Sequence, residues 1–242
     1  MNIIFMGTPE FALPTLKSLH QSSHSILAVI TQPDRPKGRG QKLLVSPIKQ
    51  YALDSDLLVL QPKTVNDPEF IESLKQNRPD VIIVVAFGQI LSATFLKIPT
   101  QFCINLHSSL LPKYRGAAPI HRAILNGETK SGVTTMIMDK GMDTGDILLM
   151  QETPIHETDT AQTLHDTLSK MGGALVLETL NRLVENTLLP IQQDHSQVTY
   201  AAKLKKEEGL IHWDQSATTL FNQVRGLTPW PGTYTMLNKK RL

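Results

Sequence analysis

The run Asp80-Val81-Ile82-Ile83-Val84-Val85-Ala86, DVIIVVA, decides the fold class. It is apolar at every position after the aspartate, with no alternation of polar residues. A strand covered on one face alternates; a strand covered on both faces does not, and such strands belong to parallel sheets packed between helices. Downstream, Gln101 to His107 is a second run of this kind. Upstream, Asn2 to Met6 is a short apolar strand closed by Gly7-Thr8-Pro9. Ser25 to Thr31 and Leu57 to Leu60 read as further strands, as do Gly132 to Met138 and Asp146 to Gln151.

Helical patterns separate them. Leu13, Leu16 and Leu19 lie on one face, and Pro47 opens a helix through Tyr51, where a missing N–H costs nothing. Asp67 to Gln76 is helical, and Ala117 to Asn126 forms a helix ending near Gly127. Thr160 to Leu188 carries Leu164, Leu168, Met171, Leu175 and Leu183 at helical spacing. Strands alternating with helices predict an α/β fold with a doubly wound, mostly parallel sheet. Such sheets bind ligands at the carboxyl ends of their strands.

The bulk numbers exclude little. With 40% hydrophobic and 19% charged residues, the 242-residue chain has the balance of an ordinary soluble protein. A net charge of +2 does not by itself indicate nucleic acid; only clustering of charge does. The single cysteine, Cys103, has no internal disulfide partner and lies in an apolar strand, so it reads as a packed thiol in a reducing compartment. No leader pattern opens the chain and no apolar run nears the ~20 residues of a membrane span. The expectation is a cytoplasmic protein with no membrane partner, acting as a monomer. The first turn, GTPEFA, has one glycine and a proline where a dinucleotide fingerprint needs three glycines, so NAD is not expected.

The chemistry concentrates at Ile104-Asn105-Leu106-His107-Ser108-Ser109-Leu110-Leu111-Pro112. Residues i and i+2 of a strand share a face, so Asn105 and His107 point together and Leu106 points away. An amide offers fixed N–H donors, and an imidazole donates or transfers a proton. Together they suit the oxyanion formed when a nucleophile attacks a carbonyl. The loop Lys140 to Ile147, KGMDTGDI, supplies carboxylates at Asp143 and Asp146 that can curl back over the sheet edge. The plainer reading keeps equal standing at this point: a structural strand-end histidine, a turn-forming asparagine and an aspartate closing a turn with Gly145. Of the eight histidines only His20 and His24 have H-x-x-x-H spacing, far in the chain from His107, and Asn105 is a poor ligand, so no metal is expected.

These residues resemble a known family. NLHSSLLPKYRGAAP, NGE and GVTTMIMDKGMDTGDI resemble the folate-dependent formyltransferases. GTPEFALPTL, RPKGRGQK with SPIK, and KEEGLIHW…VRGLTPWPGTY resemble the members of that family whose acceptor is methionyl initiator tRNA, and the likeness spans essentially every residue. The resemblance implies a Rossmann-like domain over 1–190 that moves a formyl group from 10-formyltetrahydrofolate to an amine. It implies catalytic roles for Asn105, His107 and Asp143. It implies folate contacts from Ser109, Leu110, Leu111 and Pro112, and from Gln89, Ile90 and Leu91. The Pro- and Gly-rich stretch Gln32 to Ser46 reads as a polar loop, its basic residues opposed locally only by Asp34. The resemblance makes Arg35, Lys37, Arg39 and Lys42 of this loop contacts to tRNA, with Lys203, Lys205 and Lys206 a second basic patch in a linker over 191–206.

The resemblance also implies an OB-like barrel after the linker, of which 207–242 is an incomplete start. The chain is thus expected to be a C-terminally truncated member whose stub frays and exposes Trp213 and Trp230, or an active fragment that grips tRNA weakly. Other readings remain beside tRNA formylation: formyl transfer to a glycinamide nucleotide or an amino sugar, hydrolysis of the formyl donor, or a non-catalytic remnant that still binds folate or RNA.

Overall fold

A computed structural model of the chain describes residues 1–37, 42–238 and 240–242. Its central sheet has seven strands: β1 (Asn2–Gly7), β2 (Ser25–Ile30), β3 (Val59–Leu60), β4 (Val81–Val85), β5 (Phe102–His107), β6 (Lys130–Ile137) and β7 (Ile147–Pro154). Their order is β7-β6-β5-β4-β1-β2-β3. The five strands from β5 to β3 are mutually parallel. The other two run antiparallel, β6 against β5 and β7 against β6. The DVIIVVA strand, β4, is buried at every position and sits between β1 and β5.

Strand periodicity divides the core in two. Ile3, Phe5, Ile83, Val85, Ile104 and Leu106 face one apolar layer. Ile4, Met6, Ile82, Val84 and Cys103 face the other. Helices α1 (Leu13–His20), α2 (Pro47–Asp54), α3 (Pro68–Gln76), α4 (Pro119–Leu125), α5 (Ala161–Val184) and α6 (Ala217–Gly226) follow the expected spacing. Their starts are chemically marked. The Ser46, Asp67 and Ser216 side chains each accept a hydrogen bond from a first-turn amide, and proline stands in the first turn of α2, α3 and α4. Helix α5 begins with a Thr160/Thr163 capping box and stops at Val184, before the expected Leu188.

Two short strands lie within the stretch read as a polar loop between β2 and α2. Arg35–Lys37 pairs antiparallel with Lys42–Leu44. Backbone pairing needs no apolar pattern, so the composition of this stretch conceals it.

Residues after α5 return to the sheet. Ile191 exchanges two backbone hydrogen bonds of 2.8 Å with Ile147. Tyr200–Ala201 pairs in parallel with Arg115–Gly116. Leu227, at the end of α6, is fully buried with Ala118 beside α4 and Leu204. Leu210 bridges to Tyr234, and Met236–Leu237 pairs with Lys240–Arg241. Trp213 and Trp230 are exposed. Among the described residues, no helix is long and apolar enough to cross a membrane.

Candidate active site

Strand β5 ends on the predicted pair. Phe102, Ile104 and Leu106 pack into one apolar layer and Cys103 into the other. Asn105 and His107 therefore belong to the Cys103 face. Asn105 is half-buried, and its side-chain amide makes no hydrogen bond among the described residues. His107 is buried. Its Nε2 lies 2.9 Å from the Tyr114 carbonyl, an acceptor only, so this nitrogen donates. Its Nδ1 lies 3.7 Å from Asp143 Oδ2.

Asp143 comes from the loop between β6 and β7, with φ of 55°. This left-handed conformation is uncommon for a residue with a side chain and aims the carboxylate back at β5. The Gly116 amide donates to Asp143 Oδ2 at 2.8 Å. Gly145 lets the loop close: a Cβ there would stand 1.8 Å from the Ile137 carbonyl. Asp146, the loop's other carboxylate, instead closes the strand pair through its backbone, accepting from Ile137 N.

The segment expected to contact folate divides by burial. Ser109 is buried, its hydroxyl donating to the Lys113 carbonyl at 2.6 Å while its own carbonyl accepts from Thr134. Leu111 is buried against Met136 and Ile147. Ser109 holds the turn in shape, whereas Leu110, Leu111 and Pro112 line a small pocket of 180 Å³ with Tyr114, Glu128 and Lys130. In the second segment Leu91 is buried and Ile90 is 87% exposed. Asn66 fixes the backbone around Ile90, donating to its carbonyl and accepting from Ser92 N, both at 2.8 Å. Gln89 accepts from Val65 N and donates to Gln32. Phe87 and Gly88 border a cleft of 670 Å³ that Thr8, Pro9, Gln32 and Arg35 also line, over the carboxyl ends of β1, β2 and β4.

Of the basic residues, Arg35 is exposed, as are Lys203, Lys205 and Lys206. Lys37 and Lys42 occupy facing positions of the two short strands. Arg39 lies outside the described residues. Asp34 is not left facing the loop: it pairs with Lys49 of α2 and accepts from Gln61. The Lys49 ammonium, first, holds the Asp34 carboxyl below its ordinary range. Burial pushes the Cys103 thiol up to about 12, which makes it inert as a nucleophile. Among the described residues, no cluster of three metal-binding side chains occurs.

Residues 1–180 match the family described as formyl transferase, and residues 203–242 match the formyl transferase C-terminal domain. The chain belongs to the formyl transferase family. Among curated relatives, the methionyl-tRNA formyltransferase of Citrifermentans bemidjiense is 53% identical over 242 residues, all of this chain and 76% of the relative. That of Caldanaerobacter subterraneus is 52% identical over 243 residues, covering 100% of this chain and 79% of the relative. Among solved structures, a 4-N formyltransferase from Francisella tularensis superposes with a TM-score of 0.77 at 17% identity, covering 100% of this chain and 95% of the other. An N-formyltransferase from Helicobacter canadensis, in complex with folinic acid and dTDP-3-aminofucose, gives 0.75 at 23% identity, covering 99% and 85%. The family's fold is thus present over the whole chain.

The donor set suits a folate formyl carrier. An exposed apolar side chain on a pinned backbone, Ile90, offers a surface for a flat ring. An unpartnered amide, Asn105, and the His107–Asp143 pair supply polar groups at the strand end. Sequence reading missed Arg115 and Gln193, which are buried beside the Asp143 loop. A polar residue far along the chain carries no local signal of such a contact.

Proposed function

We propose that this chain transfers the formyl group of 10-formyltetrahydrofolate to the α-amino group of methionyl initiator tRNA, as a monomer in the cytoplasm. The acceptor rests on the relatives that match every residue at about half identity. The chemistry rests on one observation, the approach of His107 Nδ1 to Asp143 at 3.7 Å beside the unpartnered Asn105 amide.

Bound 10-formyltetrahydrofolate supplies an activated formyl carbon. The Asn105 N–H donates to the formyl oxygen, which gains negative charge as the neutral amine attacks. His107 donates to the same oxygen from Nδ1, because its Nε2–H is engaged by Tyr114. Asp143, which faces Nδ1, takes the proton released by the amine through water. The new C–N bond joins the formyl carbon to the α-amine, the bond to N10 breaks, and N10 receives a proton. Ile90, Leu110 and Pro112 contact the folate, with Gln89 and Ser109 holding their segments. Leu91 and Leu111 support from the core. Arg35, Lys37, Arg39 and Lys42, with Lys203, Lys205 and Lys206, contact tRNA phosphate.

The test is formyl transfer from 10-formyltetrahydrofolate to methionyl initiator tRNA, with free formate followed in parallel. Formylmethionyl-tRNA is the expected product. Formate without formylated tRNA would assign a hydrolase instead, and folate binding without either product would leave a remnant.

A further inference from the structure

Arg115 is the largest fully buried side chain in the structure, yet it pairs with no carboxylate among the described residues. Its Nε and one terminal nitrogen both donate to Gln193 Oε1, at 3.1 and 2.6 Å. Gln193 is buried as well. With its oxygen committed to the guanidinium, its amide nitrogen can only face the other way. That nitrogen donates to the Asp143 carbonyl at 2.9 Å and the Gly145 carbonyl at 2.7 Å. These two carbonyls flank the bend that turns Asp143 toward His107. Next along the chain from Arg115, Gly116 donates its amide to the Asp143 carboxylate. One dipeptide thus holds the aspartate at both ends: Gly116 its side chain directly, Arg115 its backbone through Gln193.

Burying an arginine without a counter-charge is costly, and a neutral glutamine relieves that cost less than a carboxylate would. A glutamate in place of Gln193 would compensate the guanidinium better. It could not donate to the two carbonyls. The choice of an amide is accounted for by the loop, not by the arginine.

We propose that Gln193, oriented by buried Arg115, is a positioning residue for Asp143. It holds the Asp143–Gly145 bend so that the carboxylate stays in register with His107 Nδ1. The assignment rests on the formyl transfer reading for its kinetic consequence, but not for its structural one.

The test is Gln193→Glu, examined by kinetics and by hydrogen exchange. The clamp predicts that the variant melts at or above the temperature of the parent chain. Turnover falls at least about tenfold with the apparent KM for 10-formyltetrahydrofolate within about twofold, since small misplacements of reacting groups cost rate more than affinity. Backbone amides over residues 139–146 exchange faster than in the parent chain. Gln193→Asn, which keeps the amide on a shorter arm, recovers part of both losses. If Gln193 served only to accept from Arg115, Gln193→Glu would keep its turnover and its loop protection, and the proposal would fall. Should the parent chain form no formylmethionyl-tRNA, the function reading fails while the exchange comparison still decides the clamp. Should Gln193→Glu not fold, the side-chain NH2 protons of Gln193 in the parent chain decide it. They are expected to exchange far more slowly than those of an exposed glutamine, and equal rates would overturn the assignment.

Discussion

In the proposed mechanism Asn105, His107 and Asp143 divide one task among three kinds of side chain. The amide is a fixed donor, the imidazole donates to the oxyanion, and the carboxylate takes the proton that the amine releases. Donors aimed at a developing oxyanion are worth about 3 kcal/mol each in other acyl-transfer sites. Asn105→Ala, His107→Ala and Asp143→Ala are therefore each expected to fold but to lose roughly a hundredfold or more in turnover. Steady-state kinetics beside a thermal melt checks this, and near-normal turnover in any one removes that residue from the mechanism. The first two residues were legible because strand periodicity places i and i+2 together. The partner of His107 Nε2 was not, because it is the carbonyl of Tyr114 and a backbone atom leaves no mark in a sequence. Nor was Gln193, which meets Arg115 from 78 positions away.

Strand β5 owes its placement to an element that sequence periodicity identified but did not explain. Helix α5 contains Gly172-Gly173, a pair that costs a helix interior up to about 1 kcal/mol per residue against alanine. The structure gives the reason. A Cβ on Gly172 would lie 2.4 Å from Leu106 Cδ2, and one on Gly173 would lie 3.1 Å from the Pro14 carbonyl in α1. Leu106 is the residue between Asn105 and His107, so the helix presses directly behind the strand that carries the candidate pair. Gly172→Val is expected to destabilise the protein by about 1–3 kcal/mol through overpacking. It should also lower turnover, because relief comes by pushing Leu106 and with it both neighbours. Denaturant unfolding and single-turnover kinetics on the same preparation test this; a stability loss with unchanged chemistry would separate Leu106 from the site. The central parallel strands were readable because burial on both faces removes alternation. The antiparallel sense of β6 and β7 was not, since a short strand reads alike in either direction. The pairing of Arg35–Lys37 with Lys42–Leu44 escaped because it rests on backbone hydrogen bonds.

At the scale of the whole molecule, a net charge of +2 hides local concentrations of positive charge. Asp34, the one acidic residue of the stretch from Gln32 to Ser46, pairs with Lys49 of α2. Lysines 203, 205 and 206 stand exposed just after Tyr200–Ala201, which pairs with Arg115–Gly116. Arg39→Ala is expected to weaken use of tRNA far more than folate binding, and use of tRNA should fall steeply with salt as released counterions are restored. Equal losses in both substrates, or a flat salt response, would take tRNA contact away from this stretch. The C-terminal piece is held in turn by Arg122 of α4. Its guanidinium donates to both oxygens of Glu208 and to the Ala202 carbonyl. That hydrogen-bonded guanidinium, first, lowers the Glu208 carboxyl from its ordinary 4.5. A lowered carboxylate stabilises the folded state above its unfolded pKa, and the contribution is lost as pH falls through the folded one. The Arg122–Glu208 contribution to holding residues 203–226 is therefore expected to be complete near neutrality and to be lost in acid, below the ordinary glutamate range. Both tryptophans of the chain, Trp213 and Trp230, lie in the C-terminal piece, so their fluorescence reports on it. Glu208→Gln should flatten the acid limb of that signal and leave the behaviour at neutral pH close to that of the parent chain; an unchanged acid limb would place the pH-sensitive contact elsewhere.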